Sequence, residues 1–80
     1  MVRVTMEIAF DRIRGILLSG DFFMIPEDTL PKLEAELVGA PLDRGELSQR
    51  LKRFYERTKV QVPGVMPEDF VEAIMKAEET

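Results

Sequence analysis

Val2-Arg3-Val4-Thr5-Met6-Glu7-Ile8-Ala9-Phe10 places an apolar residue at every second position, and after Asp11-Arg12 a second apolar run extends from Ile13 to Met24. Val2, Val4, Met6, Ile8 and Phe10 share one face, the period-two signature of a half-buried strand. Two strands this close in sequence leave no room for a helical crossover, so they pair as an antiparallel hairpin. With a two-residue loop at Asp11-Arg12, Phe10 faces Ile13, Ile8 faces Gly15 and Met6 faces Leu17. Asp-Arg fits poorly with the positive φ angles of a type I′ turn, which leaves room for a longer loop. The second strand also carries Ile16, Leu18 and Phe22 on its other face. A strand apolar on both sides calls for cover on both sides: one cover falls to this chain's own helices, and the other is unassigned.

Outward from the hairpin, three helices follow. Residues 26–38 form the first, opened by Pro26 or Thr29, with Glu27 and Asp28 near the positive end of its dipole. Leu30, Leu33 and Leu37 make its apolar stripe, and Pro31 is tolerated because it falls in the first turn. Gly39 suits the C′ position and Pro41 stops continuation. Asp43-Arg44-Gly45-Glu46 is a capping-box variant that starts a second helix running to about Arg57. Its inward residues are Leu47, Leu51, Phe54 and Tyr55. Residues 58–65 form a loop or short extended piece ending at Pro63-Gly64. Pro67 then opens a last helix with Phe70, Ala73, Ile74 and Ala77 on its apolar face. The expected fold is α+β: an N-terminal antiparallel β-hairpin followed by three helices packed on one face of a small sheet, a single domain over residues 1–80.

An 80-residue chain buries only about 60–65% of the surface its unfolded form exposes. Small domains of this kind draw on disulfides, metals or partners. The sequence contains no cysteine and no histidine, which excludes disulfides, thiolate metal sites and the usual neutral-pH proton shuttle. A partner chain is then the expected source of further burial. The start of the chain, Met1 to Glu7, alternates in polarity and carries no apolar run of the kind a secretory signal needs. Ile16-Leu17-Leu18 and Phe22 to Ile25 are far too short to span a bilayer. The expected location is cytoplasmic, with no membrane association. A net charge of −4 and a pI near 4.8 argue against nucleic acid as a partner.

Chemistry is sparse. The five glycines, at 15, 20, 39, 45 and 64, make no phosphate-binding pattern. The hydroxyls of Thr5, Ser19, Thr29, Ser48, Thr58 and Thr80 have no histidine base to activate them. Glu27-Asp28 and Glu68-Asp69 sit where helix dipoles favour carboxylates, and with Glu34 and Glu36 they need no metal to explain them. Arg50, Arg53 and Arg57 recur along the second helix with Lys52 and Lys59 nearby. A solvated helix face accounts for them more simply than a patch that meets a phosphate or an acidic surface. No catalytic or metal-binding residue is assigned, and the chain has no active site of its own. The most unusual segment is Gly20-Asp21-Phe22-Phe23. Adjacent strand residues point to opposite faces, so the two phenylalanines cannot both enter one core. Either the exposed one is incidental or it anchors a partner.

Ile13-Arg14-Gly15-Ile16-Leu17-Leu18-Ser19-Gly20-Asp21-Phe22-Phe23 resembles the strand ending in GDFF of the accessory domain of lipoate–protein ligases. The similarity continues through Pro26-Glu27, Leu30 to Glu34 and Leu37-Val38-Gly39, then Asp43 to Leu47, Leu51, and Phe70 to Ile74, nearly the whole chain. The sequence departs from many members in lacking further residues before the first strand and a glycine in the hairpin turn. The resemblance implies the separately encoded small subunit of a bipartite ligase. It would be non-catalytic and needed with a catalytic large subunit for ATP-dependent activation of lipoate to lipoyl-AMP, ahead of transfer to a lysine of a carrier domain. It implies no cofactor on this chain alone, with ATP, lipoate and magnesium held in the complex. The lipoyl-carrier domains become indirect partners, and Gly20, Asp21, Phe22 and Phe23 a partner- or site-shaping motif. The reading from residues alone keeps a rival open: a non-enzymatic interaction module of an unrelated cytoplasmic complex.

Overall fold

A computed structural model describes residues 2–79, and the side chains of residues 2–78. Met1 and Thr80, the ends of the expected 1–80 domain, lie outside the described residues, and with them the Thr80 hydroxyl considered above. Five elements follow in order: β1 (Val2–Ala9), β2 (Arg12–Gly20), α1 (Thr29–Leu37), α2 (Arg44–Thr58) and α3 (Pro67–Glu79). The strands form a two-stranded antiparallel sheet. α1 packs on β2, α3 on β1, and α2 bridges α1 and α3. The expected α+β architecture is present.

The hairpin register departs from the sequence-based one. The turn residues are Phe10 and Asp11, at φ 54° and 60°, between the paired Ala9 and Arg12. Two consecutive left-handed residues give the twist that a two-residue hairpin needs, a geometry usually met by Asn-Gly. Ile8 pairs with Ile13 and Met6 with Ile16, because the register slips between Glu7 and Ile8 and leaves Arg14 without a partner across the sheet. This β-bulge changes the phase of β2. Ile13 and Ile16, three apart, both enter the core at 1% and 7% exposure, where strict alternation would have put them on opposite faces. Phe10, expected among the buried residues of β1, is 98% exposed at the tip. Val2, Val4 and Met6 do pack against the core.

α1 begins at Thr29 rather than at Pro26. Residues 26–28 form a turn in which Thr29 and Leu30 donate backbone bonds to Pro26 and Glu27. Pro31 still falls in the first turn. Gly39 takes φ 88° after α1, a value glycine adopts freely. At α2 the Asp43 side chain accepts the Glu46 N–H at 2.9 Å, half of the expected capping box. The Glu46 side chain turns instead to Arg50, 3.5 Å away. At α3 the Asp69 carboxylate accepts the Met66 N–H at 2.8 Å, closing that N-terminus from the inside.

Leu33, Leu37, Leu47, Leu51, Phe54, Phe70 and Ile74, all at most 1% exposed, make the centre of the core. Val71, and Val60 and Val62 from the segment after α2, are buried as well. That segment is held by Gln61, which exchanges two backbone bonds with Ile25 at 2.9 and 3.0 Å. On the outer face of the sheet, no element among the described residues covers Leu17, which is 64% exposed.

Candidate functional site

β2 ends at Gly20, whose φ of 138° lies in a region that a side chain would strain. Asp21 then bends the chain, exposed to solvent. The next two residues part company. Phe22 turns inward and meets Phe70 of α3 edge-on, with ring centroids 5.5 Å apart and planes at 88°, the arrangement that ring quadrupoles favour. Phe23 points out, 81% exposed. Met24 returns to the core at 5%, and Ile25 is exposed again at 52%. The alternation inferred from sequence for the phenylalanine pair therefore holds, and Gly20, Asp21, Phe22 and Phe23 form one bend. The backbone pairing of Ile25 with Gln61 anchors that bend to the loop before α3.

The bend borders an open cleft of about 460 Å³ lined by Leu18, Ser19, Gly20, Phe22 to Ile25, Glu27 and Leu30. A second hollow of about 470 Å³ opens further along the same strand, over Thr5, Gly15 and Leu17 on one side and Glu34, Ala35 and Val38 on the other. Between them the Leu18 N–H, pointing away from β1, donates to the Glu34 carboxylate at 2.8 Å. An exposed strand edge is a template for further pairing. Here α1 closes part of it with a charged acceptor, while the lining on either side stays apolar.

The hydroxyls lining the two hollows are Ser19 and Thr5, in a chain without histidine. Among the described residues no group of three or more acidic side chains is arranged to hold a metal ion. The arginine row on α2 is occupied within the fold. Arg50 reaches the Glu36 carbonyl at 3.2 Å as well as Glu46. Arg57 pairs with Glu36 at 3.3 Å and lies over the Phe54 ring. Arg53 bonds Gln49. Lys52 meets Glu68 at 3.4 Å, and Arg44 pairs with Glu72. Arg50 and Arg57 fasten α2 to α1, Lys52 and Arg44 fasten it to α3, and Arg53 bonds within α2. They do not converge on an anion site. At the Gly20–Phe23 bend the surface is apolar, with Phe23 exposed beside the cleft.

No protein-family model matches the chain. "Lipoate-protein ligase A subunit 2" of Thermoplasma acidophilum is 39% identical over 74 residues, covering 92% of this chain and 76% of that protein. This chain belongs to the lipoate–protein ligase A subunit 2 family. A solved chain from an archaeal lipoylation system, described as a bipartite lipoate protein ligase and its E2 lipoyl domain from T. acidophilum, superposes with a TM-score of 0.81. It is 41% identical, over 91% of this chain and 80% of that one. No helix among the described residues is long and apolar enough to cross a membrane.

Proposed function

We propose that this chain is the non-catalytic accessory subunit of a two-part lipoate–protein ligase and docks on a separate catalytic subunit through its Gly20–Phe23 end and the open face of its sheet. The catalytic subunit holds ATP, lipoate and magnesium and forms lipoyl-AMP. The lipoyl group then passes to a lysine of a carrier domain, in the cytoplasm. The observation that carries this reading is Phe23, 81% exposed beside an apolar cleft, in a chain of the subunit 2 family. Aromatic side chains in that position anchor interfaces. Gly20 and Asp21 set the bend, and Phe22 locks it to the core, so that Phe23 is presented in one direction.

The test is lipoate-dependent ATP–pyrophosphate exchange by the catalytic subunit, with and without this chain. Exchange that requires both polypeptides, and falls with Phe23→Ala, is the expected result. Exchange indifferent to this chain, together with no complex on gel filtration, would return it to the class of unrelated interaction modules.

A further inference from the structure

Exposed apolar surface is unevenly distributed. Of the seven large hydrophobic residues left exposed among the described residues, Ile8, Phe10 and Leu17 are on the hairpin, Phe23 and Ile25 follow it, and Val38 ends α1. Only Met66 lies elsewhere. α2 and α3 contribute none, and two ion pairs, Arg44–Glu72 and Lys52–Glu68, join them. The two most exposed of them, Phe10 and Phe23, flank β2 at its opposite ends.

Phe10 is the extreme member. It is 98% exposed and sits at φ 54°, a conformation bulky residues rarely adopt. The bulge at Arg14 moves it out of the strand face and into the turn. The turn is nevertheless braced. Leu42 donates its N–H to the Asp11 carbonyl, Ile13 donates to Ala40, Gly39 donates to Ile13, and the Arg12 guanidinium donates to the Gly39 carbonyl, at 2.7 to 3.3 Å. A strained, fully exposed aromatic ring on a rigid support gains nothing from its own chain. Strain of this kind persists where function uses it, and rigid presentation raises affinity by removing ordering costs.

We infer that Phe10 is a second anchor for the catalytic subunit, seated in an apolar pocket of that subunit edged by carboxylates that meet Arg12 and Arg14. This rests on the accessory-subunit reading. The catalytic subunit is the occupant because Val38 runs directly into the segment that braces the turn and also lines the hollow under Leu17. A body covering the open sheet face between Phe23 and Leu17 therefore arrives at the tip.

The test measures affinity for the catalytic subunit and thermal stability of the isolated chain for Phe10→Asn and Phe10→Gly. Both substitutions suit the left-handed turn, so both should raise Tm, by on the order of 4 °C. Both should weaken the complex about 30-fold or more. Unchanged affinity, with wild-type chain still activating exchange, would overturn the anchor and leave the accessory reading standing. Failure of the wild-type chain itself to bind or activate would remove that reading and the anchor with it. A fall in Tm in both variants would show that Phe10 serves its own fold, and would also overturn the inference. Unchanged affinity and exchange with slower transfer to a lipoyl domain would assign the tip to that domain instead.

Discussion

The Leu18 amide and the Glu34 carboxylate meet at 2.8 Å, and this one contact closes the outer edge of β2 between two apolar hollows. An unsatisfied N–H at this half-buried point would carry a desolvation penalty, and bonds to charged acceptors contribute about 1.5–3 kcal/mol. Glu34→Ala should lower stability by about 2 kcal/mol in urea denaturation, and Glu34→Gln, which keeps an acceptor, by less than half of that. Equal losses for the two would mean that the bond contributes nothing and that only packing is felt.

Phe22 and Phe23 should separate stability from binding. Phe22→Ala removes the edge-on contact with Phe70 and half-buried area, at about 2 kcal/mol. Phe23→Ala should leave the denaturation midpoint within about 0.5 kcal/mol of wild type while weakening activation of the catalytic subunit. A large stability loss for Phe23→Ala would place that ring in the core, contrary to its exposure.

Tyr55, the sole tyrosine, has its pKa pushed up to about 12 by burial first and by the Asp69 and Glu68 charges second. The neutral phenol is thus favoured in the folded state. Its contribution to stability is fully present below the ordinary value near 10 and is lost as pH rises towards 12. Phenolate absorbance should show one transition, well above that of the urea-unfolded chain, and denaturation midpoints should fall across the same window. Tyr55→Phe should flatten that fall. Coincident titration curves for folded and unfolded chain would contradict the assignment.

The arginine row on α2 should prove unequal. Arg50 satisfies the Glu36 carbonyl in the last turn of α1, one of the acceptors that a helix end leaves free. Arg50→Ala should cost about 1–2 kcal/mol. Arg53, bonded only to Gln49 at the surface, should cost under about 0.5 kcal/mol when replaced by alanine. Matching small effects would return the whole row to the solvated face expected from sequence.

Much of this architecture is legible in the chain itself, because the signals are local. Asp43 three residues before Glu46, Pro31 in a first turn, Gly39 before Pro41 and Pro67 before two carboxylates each mark a helix end through bonds made within a few residues. Leu33, Leu37, Leu47, Leu51, Phe54, Phe70 and Ile74 lie on helical stripes, and all are buried. The missing histidine and cysteine restrict the chemistry without reference to any fold. Within the Gly20–Phe23 motif, strand alternation alone separates the two phenylalanines. Val71, next to Phe70, is buried although the expected stripe omits it, since α3 packs against β1 as well as α2 and so buries a wider arc.

The hairpin register was decided only in three dimensions. β2 is apolar on both faces, so sliding it against β1 leaves the pattern equally satisfied, and the sequence carries no glycine at the turn to mark the tip. The choice falls to contacts from residues 39–42, some thirty positions away, which bond Asp11, Arg12 and Ile13. They hold Phe10 and Asp11 in the turn, and the bulge at Arg14 then lets both Ile13 and Ile16 reach the core. The i,i+4 pair of Glu46 and Arg50 was readable along the helix, but the cross-helix partners of the arginines were hidden, because Glu36 comes beside Arg50 and Arg57 only when α1 and α2 pack. Local chemistry determined the elements, through bonds made within a few residues; long-range packing determined that Phe10 and Phe23 remain exposed while Phe22 turns inward.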